Sequence, residues 1–447
     1  MANGGAKRRW AASGTAVLIA MTVTGCLQQP GGGGTGAAGL DGYVDNASVD
    51  SDHKVTILGA FGGDEQANFE KSLTAFEEDS GIEIDYTADT DFTTTIKQKV
   101  RSGDTPDIGL FPQPGGLLEL AGQGYLQPID TFLDYDKLDQ SLVPGFLEAA
   151  RLNGRVYGAP MRMANKSIVW YPKKAWDAAG YQAPKTLDDL TALAAQIKAD
   201  GTTPWCMAWN ADQATGWVGT DWIEQFMLTM YGPDVYNQWT SHQIPFDDPK
   251  VVAAFDAFGD IAKTDGEVYG GVKSVINTVA AEAMVPAFKT PPGCMLERQG
   301  NFEISFLDPK IQADLDNEVG IFEWPAKDAG EAPPILGGGD IAALFNGNDE
   351  DAQKVMQFLT SDQFGAEWAQ AGGWLSPHKT FDESNYPNAV TKQIADMATS
   401  ASAVVYDGSD VMPKEVGSGT FWTGMVEWLQ GESSADTTKA IEESWPQ

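Results

Sequence analysis

The 447-residue chain carries 63 Asp and Glu residues against 29 Lys and Arg, which gives a formal net charge of -34. This balance excludes nucleic acid as a natural partner, because binding to the phosphate backbone needs a basic surface. It also disfavours a polybasic membrane-binding surface. The length allows two or three domains with cores of their own, and 14 tryptophans are compatible with a stacking surface for a flat, amphipathic ligand.

The N-terminus has the organisation of a bacterial export signal. Basic residues at 7–9 precede an apolar and small-residue stretch over 10–23, which is too short to span a membrane comfortably. The sequence Val-Thr-Gly-Cys at 23–26 resembles the lipobox of bacterial lipoproteins. We therefore expect a lipoprotein signal peptide at 1–25 and lipid on Cys26, anchoring an exported protein to the outer face of the cytoplasmic membrane. The alternative is a secreted protein that is cleaved elsewhere.

A glycine-rich and then polar segment over 26–53 predicts a flexible tether. Cys206 and Cys294 are the remaining cysteines, and in an exported protein such a pair predicts one disulfide. Closing a loop of that length would stabilise the fold by roughly 4–5 kcal/mol in the chain-entropy model. Two free buried thiols are the alternative. The histidines are scattered and show no metal-binding spacing, so we expect no metal or cofactor.

Strands and helices alternate at the start of the predicted folded part. The predicted strands are 55–59, 82–86 and 107–111, and the predicted helices between them are 66–77 and 93–100. This order implies a parallel, doubly wound sheet. In such sheets ligands lie beyond the carboxyl ends of the strands. A turn rich in proline and glycine follows the third strand, and we expect the next helix to begin only at Leu117.

Several segments resemble the extracellular solute-binding proteins of ABC importers, in particular their large oligosaccharide-binding group. These segments are FEEDSGI at 76–82, GDTPDI at 103–108, LLELAGQGYLQPI at 117–129, NGRVYGAP at 153–160, IVWYPKK at 168–174, GGGD at 337–340 and GGWLSP at 372–377. Their order and spacing behind a lipobox carry the resemblance from about Val55 onward. The general appearance is most similar to binders of α-glucosides.

The resemblance implies a periplasmic-binding-protein-like α/β fold, in which two α/β lobes are joined by a multi-strand hinge with the ligand cleft between them. The N-terminal lobe would comprise residues 54–163 and 334–374. The C-terminal lobe would comprise residues 164–333 and 375–447. The family also implies an ABC permease as the partner, and we expect a monomer.

Candidate ligand contacts follow from the chemistry of a sugar, which has hydroxyls at its edge and C–H groups on its faces. Such a site combines aromatic rings with carboxylates, amides and cationic side chains. The candidates lie at strand ends, in glycine-containing segments, at a hinge position implied by the family, and after Cys294. They are Phe61, Asp64, Glu65, Asp91, Phe111, Gln113, Asn165, Lys166, Trp217, Trp222, Arg298, Gln299, Asp340 and Trp374. For each tryptophan the alternative is packing in the core.

Three functions are compatible with these features. The first is a lipid-anchored receptor that captures an oligosaccharide, such as an α-glucoside, by hinge closure and delivers it to an ABC importer. The second is the same fold binding a non-sugar solute such as a polyamine, which the acidic charge permits. The third is a secreted glycoside hydrolase, which needs two carboxylates about 5–9 Å apart. No catalytic signature is visible, so we assign no catalytic residue and favour the receptor.

Overall fold

The computed structural model describes residues 53–446 apart from Thr90, and at Asp64 it describes the backbone only. The predicted signal peptide, Cys26 and the predicted tether up to residue 52 lie outside the described residues. Within the described range, no helix combines the length and the hydrophobicity needed to cross a membrane.

Strands and helices alternate over residues 54–122, and after that they occur mostly in short runs of one kind. The strands are β1 (Lys54–Gly59), β2 (Glu83–Ala88), β3 (Ile108–Phe111), β4 (Arg151–Leu152), β5 (Arg155–Val156), β6 (Ala159–Asn165), β7 (Ile168–Pro172), β8 (Thr203–Trp205), β9 (Cys294–Gln299), β10 (Val319–Glu323), β11 (Ile335–Leu344) and β12 (Val404–Tyr406). The helices are α1 (Asp64–Ser80), α2 (Phe92–Ser102), α3 (Pro114–Gly122), α4 (Tyr135–Ser141), α5 (Lys173–Ala179), α6 (Leu187–Ala199), α7 (Trp217–Thr240), α8 (Pro249–Ala262), α9 (Gly271–Asn277), α10 (Glu303–Phe306), α11 (Pro309–Gln312), α12 (Leu315–Glu318), α13 (Glu350–Leu359), α14 (Ala366–Ala371), α15 (Ala389–Ser400), α16 (Gly408–Val411), α17 (Trp422–Leu429) and α18 (Ser434–Glu442).

The predicted strand–helix–strand–helix–strand start is confirmed. Strand β1 pairs in parallel with both β2 and β3. Helix α1 ends where Gly81 takes a left-handed conformation, with φ at 72°. The expected start of the third helix at Leu117 is wrong, because α3 already begins at Pro114. A proline fits the first turn of a helix, since its fixed φ is helical and its missing N–H would have no partner there.

Two sheets organise the described chain. The six-stranded sheet has the order β12-β11-β3-β1-β2, with β6 also paired to β11. It is mixed rather than wholly parallel, because β11 runs antiparallel to both β3 and β6. The four-stranded sheet has the order β10-β7-β9-β8. The structure joins Cys206, just after β8, to Cys294 at the start of β9 in the expected disulfide.

The chain passes between the two sheets more than once. Strand β6 ends at Asn165 in the six-stranded sheet, and β7 begins at Ile168 in the four-stranded sheet. The chain returns between β10 and β11, and after β12 it enters helices whose buried residues include Phe421 and Trp428 in the core against the four-stranded sheet. Strands that link two sheets in this way bring residues from both sides close to the crossing points.

Candidate functional site

A cavity of about 520 Å³ lies beside these crossings. One wall belongs to the six-stranded sheet and its helices, and the other is the segment that follows β9. The first wall comprises Glu65, Asn68, Pro112, Arg162, Met163, Ala164, Gly339, Asp340, Trp368, Ala371, Gly372 and Gly373, and the second comprises Asn301, Phe302, Ile304, Ser305 and Gln312. Glu65 and Pro112 follow the carboxyl ends of β1 and β3, which is where ligands are expected in an α/β sheet.

Arg162 lies between two carboxylates on the first wall. Its Nε donates to Asp340 Oδ2 and its Nη1 donates to Glu65 Oε1, both at 2.7 Å. Asp340 on β11 is in register with Arg162 on β6, so strand pairing fixes this contact. The guanidinium also lies over the Phe61 ring, 4.7 Å from its centroid, and over Trp368 at 5.1 Å. We call Glu65, Arg162 and Asp340 the cavity triad.

The electrostatics of the cavity triad keep the cation charged. Burial opposes the charge of Arg162, but Asp340 and Glu65 outweigh it and raise the pKa of the guanidinium. Burial raises the pKa of the Asp340 carboxyl, against the charge of Arg162. A guanidinium has five N–H donors, and these two hydrogen bonds use two of them. Arg162 lines the cavity, and its side chain is 20% exposed.

Glycine and aromatic residues shape the same cavity. Gly339 has a φ of 136°, and a Cβ there would meet the Arg162 carbonyl oxygen at 2.1 Å, so a side chain is excluded. On the second wall the half-buried Phe302 packs against Trp217, with ring centroids 6.0 Å apart. Trp368 supplies an aromatic edge on the first wall. Polar groups and apolar rings therefore line the same cavity.

Asn165 ties the first crossing to the second wall. Its backbone N–H donates to Asn301 Oδ1 at 2.9 Å, and the Asn301 N–H donates to the Asn165 carbonyl at 3.0 Å. The Asn165 side chain accepts a hydrogen bond from the Ser167 N–H at 2.9 Å. Asn165 is fully buried, so it positions Asn301 at the cavity surface instead of reaching the cavity itself.

A second cation lies between two carboxylates just beyond β6. Lys166 Nζ forms ion pairs with Asp407 and, at 3.3 Å, with Asp221. Arg298 Nη1 lies 3.6 Å from Asp221 Oδ2. Glu224 accepts hydrogen bonds from the backbone N–H groups of α16. We call Lys166, Asp221 and Asp407 the sealed triad, because all three are buried.

The sealed triad already holds its own cation. Oxygens of Asp221, Glu224 and Asp407 lie within 4.8 Å of one another, a spacing that could hold a metal ion. The ammonium of Lys166 contacts two of the three carboxylates. Burial raises the pKa of Asp221 to about 7, although Lys166 acts in the opposite direction. For Asp407, burial is outweighed by Lys166 and by hydrogen bonds, and the pKa is lowered.

Some of the sequence candidates meet at the cavity. Glu65 and Asp340 line it, and the Phe61 ring packs against the Arg162 guanidinium. Trp217 reaches it only through Phe302. The side chain of Asp64 is outside the part of the chain that the structure describes.

Other candidates lie in packed or exposed positions away from the cavity. Phe111 is buried between Phe92 and Phe345, with ring centroids at 5.1 and 6.3 Å, because every residue of β3 is buried. Gln113 precedes α3, and Asp91 is exposed before α2. The structure therefore does not place Phe111 or Asp91 on the cavity wall.

The tryptophans beside glycines pack against protein. Trp222 lies in the core, with the Phe258 ring stacked at 4.9 Å. The room beside Gly219 is filled by the Trp209 ring, which a Cβ there would meet at 2.8 Å. Trp374 is buried, and its ring occupies the space that a Cβ at Gly365 would need. The space beside Gly219 is therefore filled by protein, whereas Gly372 and Gly373, which precede Trp374, have open space at their Cβ positions and line the cavity.

The polar candidates on either side of the hinge crossing are also turned inward. Lys166 belongs to the sealed triad, and Arg298 contacts Asp221 of that triad. Gln299 is buried, and its side-chain oxygen accepts the Gly300 N–H at 3.0 Å. None of these side chains lines the cavity among the described residues.

Several lining residues carry little local sequence signal. Arg162 is an exception, because its position on a β-strand that precedes the implied hinge is a detectable sequence signal. Asn301, Phe302 and Ser305 follow a buried strand, but only their contacts with distant residues place them at the cavity. Trp368 lies in a short helix just before the Gly372–Gly373 pair. Its role depends on the packing of that helix on α1.

Comparison with known proteins identifies relatives over nearly the whole chain. A family model described as "bacterial extracellular solute-binding protein" matches residues 62–366. The osmoprotective compounds-binding protein GgtB of Synechocystis sp. is 37% identical over 433 residues, covering 97% of this chain and 98% of the relative. The alpha-glucosides-binding periplasmic protein AglE of Rhizobium meliloti is 31% identical over 400 residues, covering 88% and 86%.

Solved structures share the fold. The bacterial solute receptor AcbH superposes with a TM-score of 0.73 at 17% identity, covering 88% of this chain and 98% of the receptor. Maltose-bound MalE3 of T. maritima gives a TM-score of 0.62 at 19% identity, covering 87% and 98%. The predicted periplasmic-binding-protein-like α/β fold is confirmed. Together with the family match, these findings show that the chain belongs to the bacterial extracellular solute-binding proteins.

Proposed function

We propose that the protein captures a carbohydrate in the cavity beside the sheet crossings and delivers it to an ABC importer. The observation that carries the proposal is the cavity triad, in which a guanidinium and two carboxylates face a space that aromatic rings also line. Sugar hydroxyls both donate and accept, so they can bond to either kind of group. The rings offer apolar surface to sugar C–H groups.

The size and composition of the cavity fit a small solute. Its volume of about 520 Å³ is within the range of roughly 300–1,000 Å³ that is usual for small-molecule sites. We propose Glu65, Arg162 and Asp340 as hydrogen-bonding contacts and Phe302 as an apolar contact. Trp217 would extend the apolar surface behind Phe302.

The names of the relatives support a carbohydrate or a related polyhydroxylated solute. AglE is named for binding alpha-glucosides, and GgtB is named for binding osmoprotective compounds. An oligosaccharide such as an α-glucoside is therefore our first candidate for this chain. A small osmoprotective solute is the second, because GgtB is similar over almost the entire sequence. The polyamine and glycoside hydrolase alternatives remain as outcomes of the test below.

Capture would proceed by closure of two lobes about the crossings. We propose lobes of 54–163 with 334–374, and of 164–333 with 375–447. The two sheets and the crossing between β6 and β7 support this division. Strand β12 is an exception, because it pairs with β11 of the six-stranded sheet although it lies in the second range. We assign β12 to the hinge.

Export and anchoring follow from the N-terminal sequence. We propose that the protein is a monomeric lipoprotein held outside the cytoplasmic membrane by lipid on Cys26, with the permease as its membrane partner. A multiply acylated cysteine would be needed, because one acyl chain binds membranes only marginally. The mass of the mature N-terminal peptide tests this proposal. An unmodified Cys26, or retained residues before it, would contradict it.

Titration calorimetry tests the carbohydrate assignment. We expect at least one of maltose, trehalose, sucrose and raffinose to bind with micromolar or tighter affinity, about -8 kcal/mol or better. Spermidine serves as the non-sugar probe, and product analysis detects turnover. No binding by any sugar would contradict the proposal. Binding of spermidine alone would favour the polyamine alternative, and turnover of the sugar would favour the hydrolase.

A further inference from the structure

The charged groups on the cavity wall sum to a negative charge. Among the described lining residues, Arg162 is the cation, and Glu65 and Asp340 are the carboxylates. Both carboxylates are already paired with the cation. The remaining lining side chains are uncharged. An incoming anion therefore meets a cation that is already neutralised, together with an excess of negative charge.

The two carboxylates differ in their freedom to move. The Glu65 side chain is 54% exposed, so it can turn away into solvent. The Asp340 side chain is 4% exposed and is held opposite Arg162 by the pairing of β11 with β6. Asp340 therefore cannot leave Arg162 when a ligand arrives. Its charge is also weakly screened, because buried charges are screened much less than exposed ones.

The Arg162 guanidinium is itself fixed. It is positioned over Phe61 and Trp368, with its centre 4.7 and 5.1 Å from the two ring centroids. Reaching out to form a new ion pair would break both ring contacts and the hydrogen bond to Asp340. The cation can donate hydrogen bonds where it stands, but it cannot follow an anionic group into the cavity.

The hydrogen-bonding groups on the cavity wall also favour a neutral ligand over an anionic one. Hydroxyl groups can donate to the carboxylates and accept from the guanidinium, so a neutral polyol satisfies both. Ionised phosphate or carboxylate oxygens accept hydrogen bonds, but they offer no donor to Asp340 or Glu65. The net charge of -34 on the whole chain adds a long-range repulsion to this local mismatch.

We propose that the cavity selects uncharged polyhydroxylated ligands over their anionic counterparts, and that Asp340 is the residue that determines this selectivity. The inference rests on the carbohydrate function proposed above and narrows the class of ligand. Sugar phosphates and sugar acids are excluded from the transported set, while the corresponding neutral sugars are accepted.

Matched pairs of sugars test the proposal by calorimetry. The pairs are trehalose with trehalose 6-phosphate, and maltose with maltobionate. For the pair whose neutral member binds the wild type, we expect the anionic member to bind at least about a hundredfold more weakly. In Asp340→Asn this difference in affinity between the neutral and the anionic sugar is expected to narrow at least tenfold, because the cavity wall would lose the buried negative charge that opposes the anion.

The control is Asp130→Asn. Asp130 pairs with Arg155 at 2.7 Å, but neither residue lines the cavity. We expect the ratio of neutral to anionic sugar affinity in this variant to equal that of the wild type. A purely steric rejection of the phosphate would persist in Asp340→Asn, which would overturn the role of Asp340. If Asp340→Asn does not fold, Glu65→Gln is expected to narrow the gap in the same direction.

The outcomes separate the two proposals. Equal binding of both members by the wild type would overturn the selectivity and leave the carbohydrate function intact. If Asp340→Asn and Glu65→Gln both fold and both keep the wild-type ratio of neutral to anionic sugar affinity, the selectivity mechanism is also overturned. Failure of every neutral sugar to bind would instead contradict the carbohydrate function on which the inference rests.

Discussion

Two similar ion clusters lie at neighbouring positions of one sheet crossing, and their environments differ. In the cavity triad, Arg162 is held between Glu65 and Asp340. In the sealed triad, Lys166 is held between Asp221 and Asp407. The first borders a cavity of about 520 Å³, whereas the second is enclosed by α7, α16 and the crossing itself. The same charge pattern therefore borders a cavity in one place and is buried in the other, and we propose a role in ligand recognition only for the first.

This difference predicts different responses to mutation. Removing one partner of a sealed ion pair leaves a buried charge without compensation, which is strongly destabilising. Removing Arg162 leaves Glu65 exposed to water at 54% while Asp340 stays buried, so we expect a smaller stability cost than in the sealed triad. The loss there should appear in ligand affinity. Each prediction below tests one side of this contrast.

A large effect on stability is expected from Lys166→Met. The buried carboxylates of Asp221 and Asp407 would lose their shared cation, so the free energy of unfolding should fall by about 3–5 kcal/mol. Urea denaturation followed by tryptophan fluorescence measures this change. The control is Lys174→Met, because Lys174 is 67% exposed and its surface pair with Glu318 should contribute about 1 kcal/mol or less. Equal losses of unfolding free energy in Lys166→Met and Lys174→Met would contradict the distinction between the sealed triad and a surface ion pair.

Phe111→Ala tests whether the end of β3 is core or ligand surface. Because Phe111 is buried against Phe92 and Phe345, we expect a loss of about 3–5 kcal/mol in stability. The folded fraction should keep its sugar affinity. Phe302→Ala is the matched variant, and it should weaken binding more than stability. A Phe111→Ala protein that keeps its stability but no longer binds sugar would show that Phe111 contacts the ligand.

Arg162→Met should act mainly on binding. We expect affinity for the neutral sugar to fall tenfold to a hundredfold, about 1.4–2.8 kcal/mol, with a smaller stability loss than in Lys166→Met. Calorimetry and urea denaturation of the same preparations measure both quantities. Arg155→Met is the control, since Arg155 pairs with Asp130 outside the cavity. A stability loss as large as that of Lys166→Met, with unchanged affinity, would show that Arg162 is structural.

The last prediction concerns the pH dependence of stability. Burial raises the pKa of Asp221 to about 7, above its ordinary value of 3.8. The folded state therefore holds this proton more tightly, and the stability contributed by Asp221 falls as pH rises from about 4 to about 7. Asp221→Asn lacks this titration, so its unfolding free energy should vary less over that range. If the unfolding free energies of Asp221→Asn and the wild type varied equally with pH over that range, the assigned titration of Asp221 would be wrong.

Local sequence patterns predicted the elements whose causes are local. The first strands and helices follow from apolar spacing, and α1 ends at the left-handed Gly81, just before the predicted second strand at 82–86. The disulfide between Cys206 and Cys294 also follows from an exported chain with one remaining cysteine pair. Glu65 and Asp340 were identified because strand ends and glycine runs mark places where backbone and ligand approach.

The remaining site residues depend on long-range packing. A glycine beside a tryptophan does indicate a close approach, but at Gly219 the approaching group is the Trp209 ring. Asn301 reaches the cavity because it pairs with Asn165, which is distant in sequence. Lys166 and Arg162 have similar local signals, and only the packing around each side chain decides which one faces the cavity.

A crystal structure with the tightest-binding neutral sugar of the panel tests the central claim most directly. The account predicts sugar density in the cavity, within hydrogen-bond distance of Arg162 and Asp340, with Asn301 and Phe302 on the opposite wall. Lys166 should remain paired with Asp407 and make no contact with the sugar. Sugar bound at another surface, or directly to Lys166, would contradict the division between the cavity triad and the sealed triad.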